Sequence, residues 1–340
     1  MKKTLIAASI AALAAGSAQA VTLYESETGS FSTYGKVQLE LNNFDGENQI
    51  QDNGSRFGFS GETVLENGLT AFANAEFRFN AGFENSGSVS IDPATGDASG
   101  GGAITVRNSF VGVRGDFGTV RAGNFDSIYY TGVSNVLDIM ERDGYRALGT
   151  DDTNARGFAL AFETADLGGF NFGLGVKHYN SDESRDGVAY PSASESGDQE
   201  WNVQAYAKFT MIDNLVLAVA VDQNNGDANG GSDEAIIGFS ATYTLDALTA
   251  SALVEIEDDW THFGLAANYN LGATNVYGLV SFLDDDNDNG VDFALGVNHS
   301  LASNFMVYGE FALGNDDISE IQDADGDGTL SITLGAAYTW

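Results

Sequence analysis

Leu330-Ser331-Ile332-Thr333-Leu334-Gly335-Ala336-Ala337-Tyr338-Thr339-Trp340 is the stretch that decides the fold class. Leu330, Ile332, Leu334, Ala336, Tyr338 and Trp340 form one apolar face, and Ser331, Thr333, Gly335, Ala337 and Thr339 form a small, polar one. Strict period 2 marks an extended strand whose two faces meet different surroundings. The same alternation recurs at about 31–44, 54–65, 69–80, 104–115, 119–125, 155–163, 170–180 and 200–210. It continues at about 215–224, 234–244, 248–257, 260–270, 275–284, 292–300, 305–315 and 329–340. Sixteen strands and no sustained helix are therefore expected.

Composition narrows the function classes. With 42 Gly but 2 Pro among 340 residues, collagen and Pro-rich disorder are excluded. The 49 acidic residues outnumber the 14 basic ones, giving a net charge of −35, so binding of nucleic acid through a basic surface is excluded. There is no Cys, which removes disulfide scaffolds, thiolate zinc sites and thiol catalysis. His178, His262 and His299 stand at unrelated spacings, so neither a metal site nor a cofactor is expected. Many carboxylates are present, but none is tied to a nucleophile, a phosphate-binding glycine loop or a metal cluster, and no enzyme is read.

At the start, Met1-Lys2-Lys3 precedes an apolar run, Thr4 to Ala15, and Ala18-Gln19-Ala20 has the small-x-small form of a cleavage site. Residues 1–20 read as a secretory signal peptide and 21–340 as a single exported bacterial domain. The body has no run of about 18 apolar residues, so helical membrane spans are excluded there.

The connections decide the kind of barrel. Glu66-Asn67-Gly68, Asp116-Phe117-Gly118, Met211 to Asn214, Leu271 to Thr274 and Leu301 to Asn304 are tight turns, with Asn, Asp and Gly supplying the backbone angles. The intervening connections, 81–103, 126–154, 181–199, 225–233 and 316–328, are longer and acidic. Short turns on one side and long loops on the other are the pattern of an antiparallel transmembrane β-barrel with short periplasmic turns and long external loops. Sixteen strands enclose a lumen too wide for side chains to fill, so polar faces such as Lys36, Gln38, Glu40 and Asn42, or Asn74, Glu76 and Arg78, are expected to line water. Gly35, Gly173, Gly175, Gly238, Gly264, Gly278 and Gly296 within strands are read as accommodating bent walls. Tyr34, Phe44, Phe79, Tyr179, Trp201, Trp260, Tyr269, Tyr338 and Trp340 near strand ends are read as interfacial girdles.

Several segments carry a specific resemblance: Tyr34-Gly35-Lys36, Ser55-Arg56-Phe57-Gly58-Phe59-Ser60-Gly61-Glu62, Arg107 to Gly112, the long third loop after Asn124-Phe125, and the closing aromatic. The chain resembles the trimeric, sixteen-stranded general porins of Gram-negative bacteria over nearly all of 21–340. That resemblance implies a homotrimer in the outer membrane, in contact with lipid and lipopolysaccharide, passing small hydrophilic solutes. The ending Thr333 to Trp340 resembles the signal read by the barrel-insertion machinery, which implies an assembly role for Gly335, Tyr338 and Trp340; Trp replaces the family's usual Phe.

The resemblance also implies a third loop folded inward, with acids facing a ladder of cations. Lys36, Arg56 and Arg107 match ladder positions. Arg156 matches another, although it shares parity with Phe158, Leu160 and Phe162 and so needs a place past the strand end or a bulge. Arg78 joins them on the polar face of its strand. On the loop, Val136 to Gly144 resembles the constriction stretch, with Asp138, Glu141 and Asp143 as its acids, although the family's Pro-Glu-Phe-Gly-Gly signature is absent and Arg142 inserts a positive charge.

Asp323-Ala324-Asp325-Gly326-Asp327-Gly328 begins like a calcium loop, but Leu334 stands where the bidentate Glu should be, so it reads first as a solvated acidic tip, with loose divalent-ion binding that bridges lipopolysaccharide as the second reading. The favoured function is a cation-preferring passive diffusion channel. The other reading is an outer-membrane adhesion or structural barrel with a plugged pore.

Overall fold

In the computed structural model the described residues are 20–81, 90–91, 98–99, 104–148, 158–179, 200–223, 234–285, 287–315 and 329–340. Residues 1–19 of the expected signal peptide 1–20, Arg156 and the acidic stretch 323–328 lie outside them. The strands are β1 (Val21–Glu25), β2 (Gly29–Phe44), β3 (Glu47–Asp52), β4 (Arg56–Val64), β5 (Thr70–Phe79), β6 (Ser90–Ile91) and β7 (Ala98–Ser99). They continue as β8 (Ile104–Gly115), β9 (Gly118–Asn124), β10 (Phe158–Thr164), β11 (Phe170–Tyr179), β12 (Glu200–Phe209), β13 (Leu215–Asp222) and β14 (Ile236–Leu245). The last are β15 (Leu248–Glu257), β16 (Trp260–Asn270), β17 (Thr274–Asp284), β18 (Asn289–Ala302), β19 (Phe305–Gly314) and β20 (Leu330–Thr339).

Sixteen of these form the wall. Antiparallel pairing runs from β2 through β4, β5 and β8 to β20 and back to β2, so the sheet closes on itself. Every backbone group in the wall can therefore pair with a neighbour, which a lipid-facing sheet requires. The long strand β2 makes the closure. Its first half, Gly29 to Lys36, pairs with β4, and its second half, Lys36 to Phe44, pairs with β20. Where β20 stops, β1 takes over the same edge: Trp340 exchanges both backbone hydrogen bonds with Gly35 at 3.0 Å, and Val21 stands opposite Thr33.

Alternation produces the expected two faces. On β16, Phe263, Leu265 and Tyr269 are exposed outward, whereas His262, Gly264 and Ala266 are buried inward. On β20, Ile332, Leu334 and Tyr338 point out while Ser331, Thr333 and Thr339 point in. All sixteen expected strands are present.

The structure differs from the sequence reading in four places. β1 and β3 add two short strands beside β2, β3 turning back through Asp45 (φ 49°) and Gly46 (φ 77°). Not every connection at the long-loop end is long: only Asp258 and Asp259 join β15 to β16, and 285–288 join β17 to β18. Tyr34 is not a girdle residue, because it shares the inward parity of Lys36 and bonds Asn74 (2.9 Å) across the lumen face; Phe44 also turns inward. Finally, strand glycines also let rings and loop side chains approach the wall closely. A Cβ on Gly35 would lie 2.4 Å from the Trp340 ring, and the Tyr308 ring covers Gly335 in the same way. Gly35→Val is accordingly expected to slow barrel closure and lower the yield of heat-modifiable protein, and Trp340→Ala to do so by removing the ring and its interfacial anchor.

Candidate functional site

β9 is short and ends at Asn124, opposite Ser109 and Phe158, so the third loop leaves the wall there. The chain turns into the lumen at Phe125. Ser127 caps a short helix, α1 (Ile128–Gly132), its Oγ accepting the Tyr130 N–H at 2.9 Å, and a 3-10 turn follows at Ser134–Val136. Ile128, Tyr129, Val133 and Leu137 of this segment are at most 1% exposed. They lie on a groove of inward-facing glycines: Ile128 over Gly175, Tyr129 and Val133 over Gly238, and Leu137 over Gly264. Burying such side chains contributes about 1.5–3 kcal/mol each, so the loop is packed against the wall as a small core. A Cβ on Gly264 would stand 2.1 Å from Leu137 Cδ1. Gly264→Val should thus unseat the loop while leaving the strands paired, seen as faster proteolysis of the loop with unchanged heat modifiability.

Carboxylates of the wall then hold the loop's backbone. Glu255 on β15 accepts the Tyr129 hydroxyl (2.7 Å) and the Leu148 N–H (3.0 Å), and it lies 2.7 Å from His262 Nδ1. Burial and the Glu255 charge keep the Tyr129 phenol protonated. Glu310 on β19 accepts the N–H groups of Glu141 (2.7 Å) and Arg142 (3.0 Å) together with the Tyr277 hydroxyl (2.8 Å). The inserted Arg142 pairs with Glu40 on β2 at 2.7 Å. Asp143 takes Arg142 Nε (3.4 Å) and the Ser331 hydroxyl, and Glu141 Oε2 accepts Gln38 Nε2 at 2.9 Å. Glu40, Glu255 and Glu310 had no distinguishing signal in the sequence, since each is one more polar residue on an inward strand position.

On the neighbouring wall Lys36, Arg56 and Arg107 come from β2, β4 and β8. Lys36 and Arg56 are direct cross-strand partners, as are Arg56 and Arg78. Lys36 Nζ donates to Gln38 Oε1. Arg107 Nη1 stands 2.5 Å from Glu76 Oε1, and Arg56 Nε 3.7 Å from Glu76 Oε2. Arg78 is exposed and borders an open cavity with Asp52, Asn53, Asn80 and Thr105.

The loop acids divide. Asp138 keeps surface exposed to the lumen and accepts the Tyr130 hydroxyl at 2.5 Å. It lies within the electrostatic reach of Arg107, and Glu141 within that of Lys36 and Arg56. Asp143 instead turns to β20. Enclosure by the barrel raises the Asp138 carboxyl above the ordinary range; Tyr130 opposes this, Asp126 and Glu141 add to it, and Arg107 opposes it. Because the shift is upward, Asp138 loses its charge on acidification before a free Asp, near pH 3.9, would. The ratio of potassium to chloride permeability should therefore start to fall at higher pH than an ordinary aspartate predicts, with Asp138→Asn flattening that step in a pH series of reversal potentials.

Comparison with known proteins agrees with this fold. The Gram-negative porin profile matches residues 7–319. Two Halomonas proteins, a monosaccharide porin and the major outer membrane protein of Halomonas elongata, are each 26% identical over 382 positions, covering 100% of this chain and 93% of theirs. Among solved structures, OmpF of Salmonella typhi in complex with daunomycin superposes with a TM-score of 0.71 at 16% identity, covering 94% of this chain and 100% of that one. OmpT of Vibrio cholerae, solved in a trimer form, gives 0.65 at 16% identity, covering 92% and 100%. A closed sixteen-stranded barrel, an inward third loop and a family match over nearly the whole sequence place the chain in the Gram-negative porin family of the outer membrane.

Proposed function

We propose that this porin is a passive diffusion channel for small hydrophilic solutes and ions, that it prefers cations, and that it works as a homotrimer after removal of residues 1–20. The observation that carries the reading is the narrowed lumen, in which Lys36, Arg56 and Arg107 stand on one wall and Asp138 and Glu141 on the loop. Arg78 stands exposed on the same wall, and the family resemblance assigns Arg156 to the ladder as well. Pore width and wall charge, rather than a binding step, then decide what passes. Cation preference is supported by the net charge of −35, which concentrates cations at the mouths. The trimer is supported by the likeness to OmpT, which has a trimer form.

Reconstitution into planar bilayers tests the reading. Conductance steps in groups of three are expected; a silent barrel that inserts normally would favour a plugged scaffold.

A further inference from the structure

We propose that a cavity on the long-loop side of the constriction is a subsite for small zwitterions such as α-amino acids, with Arg78 taking the carboxylate and Asp52 the ammonium group. The inference rests on the constriction reading above and goes beyond it, adding a weak binding step for one solute class to a channel that otherwise sorts by width and charge. Asp52, Asn53, Gly54, Arg78, Asn80 and Thr105 line a cavity of about 380 Å³. That lies within the range of about 300–1,000 Å³ found for sites that hold small organic molecules. Arg78 follows Glu76 by two residues on β5, an inward step of about 7 Å toward the 81–103 connection.

Arg78 differs from its neighbours in having its charge to spare. Arg56 and Arg107 face Glu76, Arg114 faces Glu62, Arg121 faces Glu163 and Arg142 faces Glu40. Arg78, by contrast, is exposed and forms no ion pair among the described residues, so its planar fork of donors stays available to an incoming carboxylate. Asp52 ends β3 on the opposite side of the cavity's turn. Its oxygens accept the N–H groups of Ser55 (3.0 Å) and Ala81 (3.1 Å), which fix the carboxylate and leave each oxygen a second lone pair for an ammonium group. Asn53 Nδ2 donates to the Glu141 carbonyl at 2.6 Å, tying this turn to the third loop, so the cavity opens beside the eyelet. Thr105, the cross-strand partner of Arg78, adds a hydroxyl. Opposite charges that border one cavity without pairing present a fixed dipole. An α-amino acid matches it at both ends, and a simple anion or cation at only one.

The test is the current noise that added solute brings to an open channel in a planar bilayer, read as an apparent affinity. L-alanine should add noise that saturates, whereas its neutral isomer lactamide should add none. Arg78→Gln should weaken the alanine affinity about tenfold, the loss of one charged contact. Arg78→Lys, which keeps the charge without the fork, should weaken it less. Asp52→Asn should weaken alanine binding yet strengthen that of propionate, the anion without the amine, because a repelling carboxylate is gone; a mere loss of shape would weaken both. If Asp52→Asn fails to assemble, Arg78→Gln carries the test, since Arg78 has no ion pair to lose. Equal affinities for alanine and propionate would reduce the cavity to an anion site and overturn the proposal, as would alanine noise unchanged by Arg78→Gln. If alanine adds no noise to the wild type while Lys36→Ala and Asp138→Asn still shift the K⁺/Cl⁻ permeability ratio, the subsite falls and the constriction stands. If those variants leave the ratio unchanged as well, the constriction reading fails with it.

Discussion

Replacing Glu310 and Glu255 together by alanine should free the third loop, raise single-channel conductance and admit larger solutes, while the barrel continues to assemble. Glu310 is the acceptor for the backbone N–H groups of Glu141 and Arg142, and Glu255 for that of Leu148 and for the Tyr129 hydroxyl. Each N–H left unpaired costs about 1–3 kcal/mol, so the loop loses several kcal/mol of docking energy at two separate points. Glu310→Ala alone should loosen only the tip near 138–144, because Ile128, Val133 and Leu137 keep the first part seated on its glycine groove. The expected signature is added current noise with a modest rise in conductance. Liposome swelling with sugars of increasing size measures the exclusion limit. A double variant with the wild-type limit would show that packing, not the carboxylates, holds the loop.

The second large effect concerns charge. Converting Lys36, Arg56 and Arg107 to alanine should raise cation preference, and converting Asp138 and Glu141 to alanine should lower it. Unit charges about 4 Å from a passing ion at an effective dielectric near 20 interact by about 4 kcal/mol before screening, so a fraction of that suffices to change permeability ratios. Charges on the outer loops are more screened, and Asp325→Ala should change the ratio little. Asp143→Ala is a sharper control, because Asp143 belongs to the same loop yet pairs with Arg142 and Ser331. A shift from either control as large as that from Asp138→Ala with Glu141→Ala would place the selective step elsewhere.

The wall was legible because the environment repeats: lipid on one face and water on the other force period 2 on every strand, and β20 shows it without interruption. The extra strand β3 was not legible, since Glu47–Asp52 is polar except for the single Ile50 and carries no apolar period. Lys36 and Arg56 could be placed on the wall because inward parity and motif agreed, whereas Arg107 was matched by motif alone and is the extra residue of a bulge where β5–β8 pairing shifts between Glu76 and Phe77. The bulge that aims Arg107 leaves no local trace, and neither does Glu76 as its partner.

The loop's anchoring was hidden for a different reason. Glu255 meets Tyr129 and Glu310 meets Glu141 across more than a hundred positions, and only the closed barrel brings them together. The strand glycines were visible, but nothing near Gly264 in sequence names Leu137 as what lies over it. Arg142, an unexplained cation in the constriction stretch, is answered by Glu40.

The most direct measurement is the reversal potential of the wild-type protein across a planar bilayer in a dilute KCl gradient. A potential of the sign for potassium, shrinking toward zero as salt rises to 1 M and the Debye length falls from roughly 10 Å to 3 Å, is the result predicted for a cation-preferring channel. A potential of the sign for chloride at low salt would contradict it.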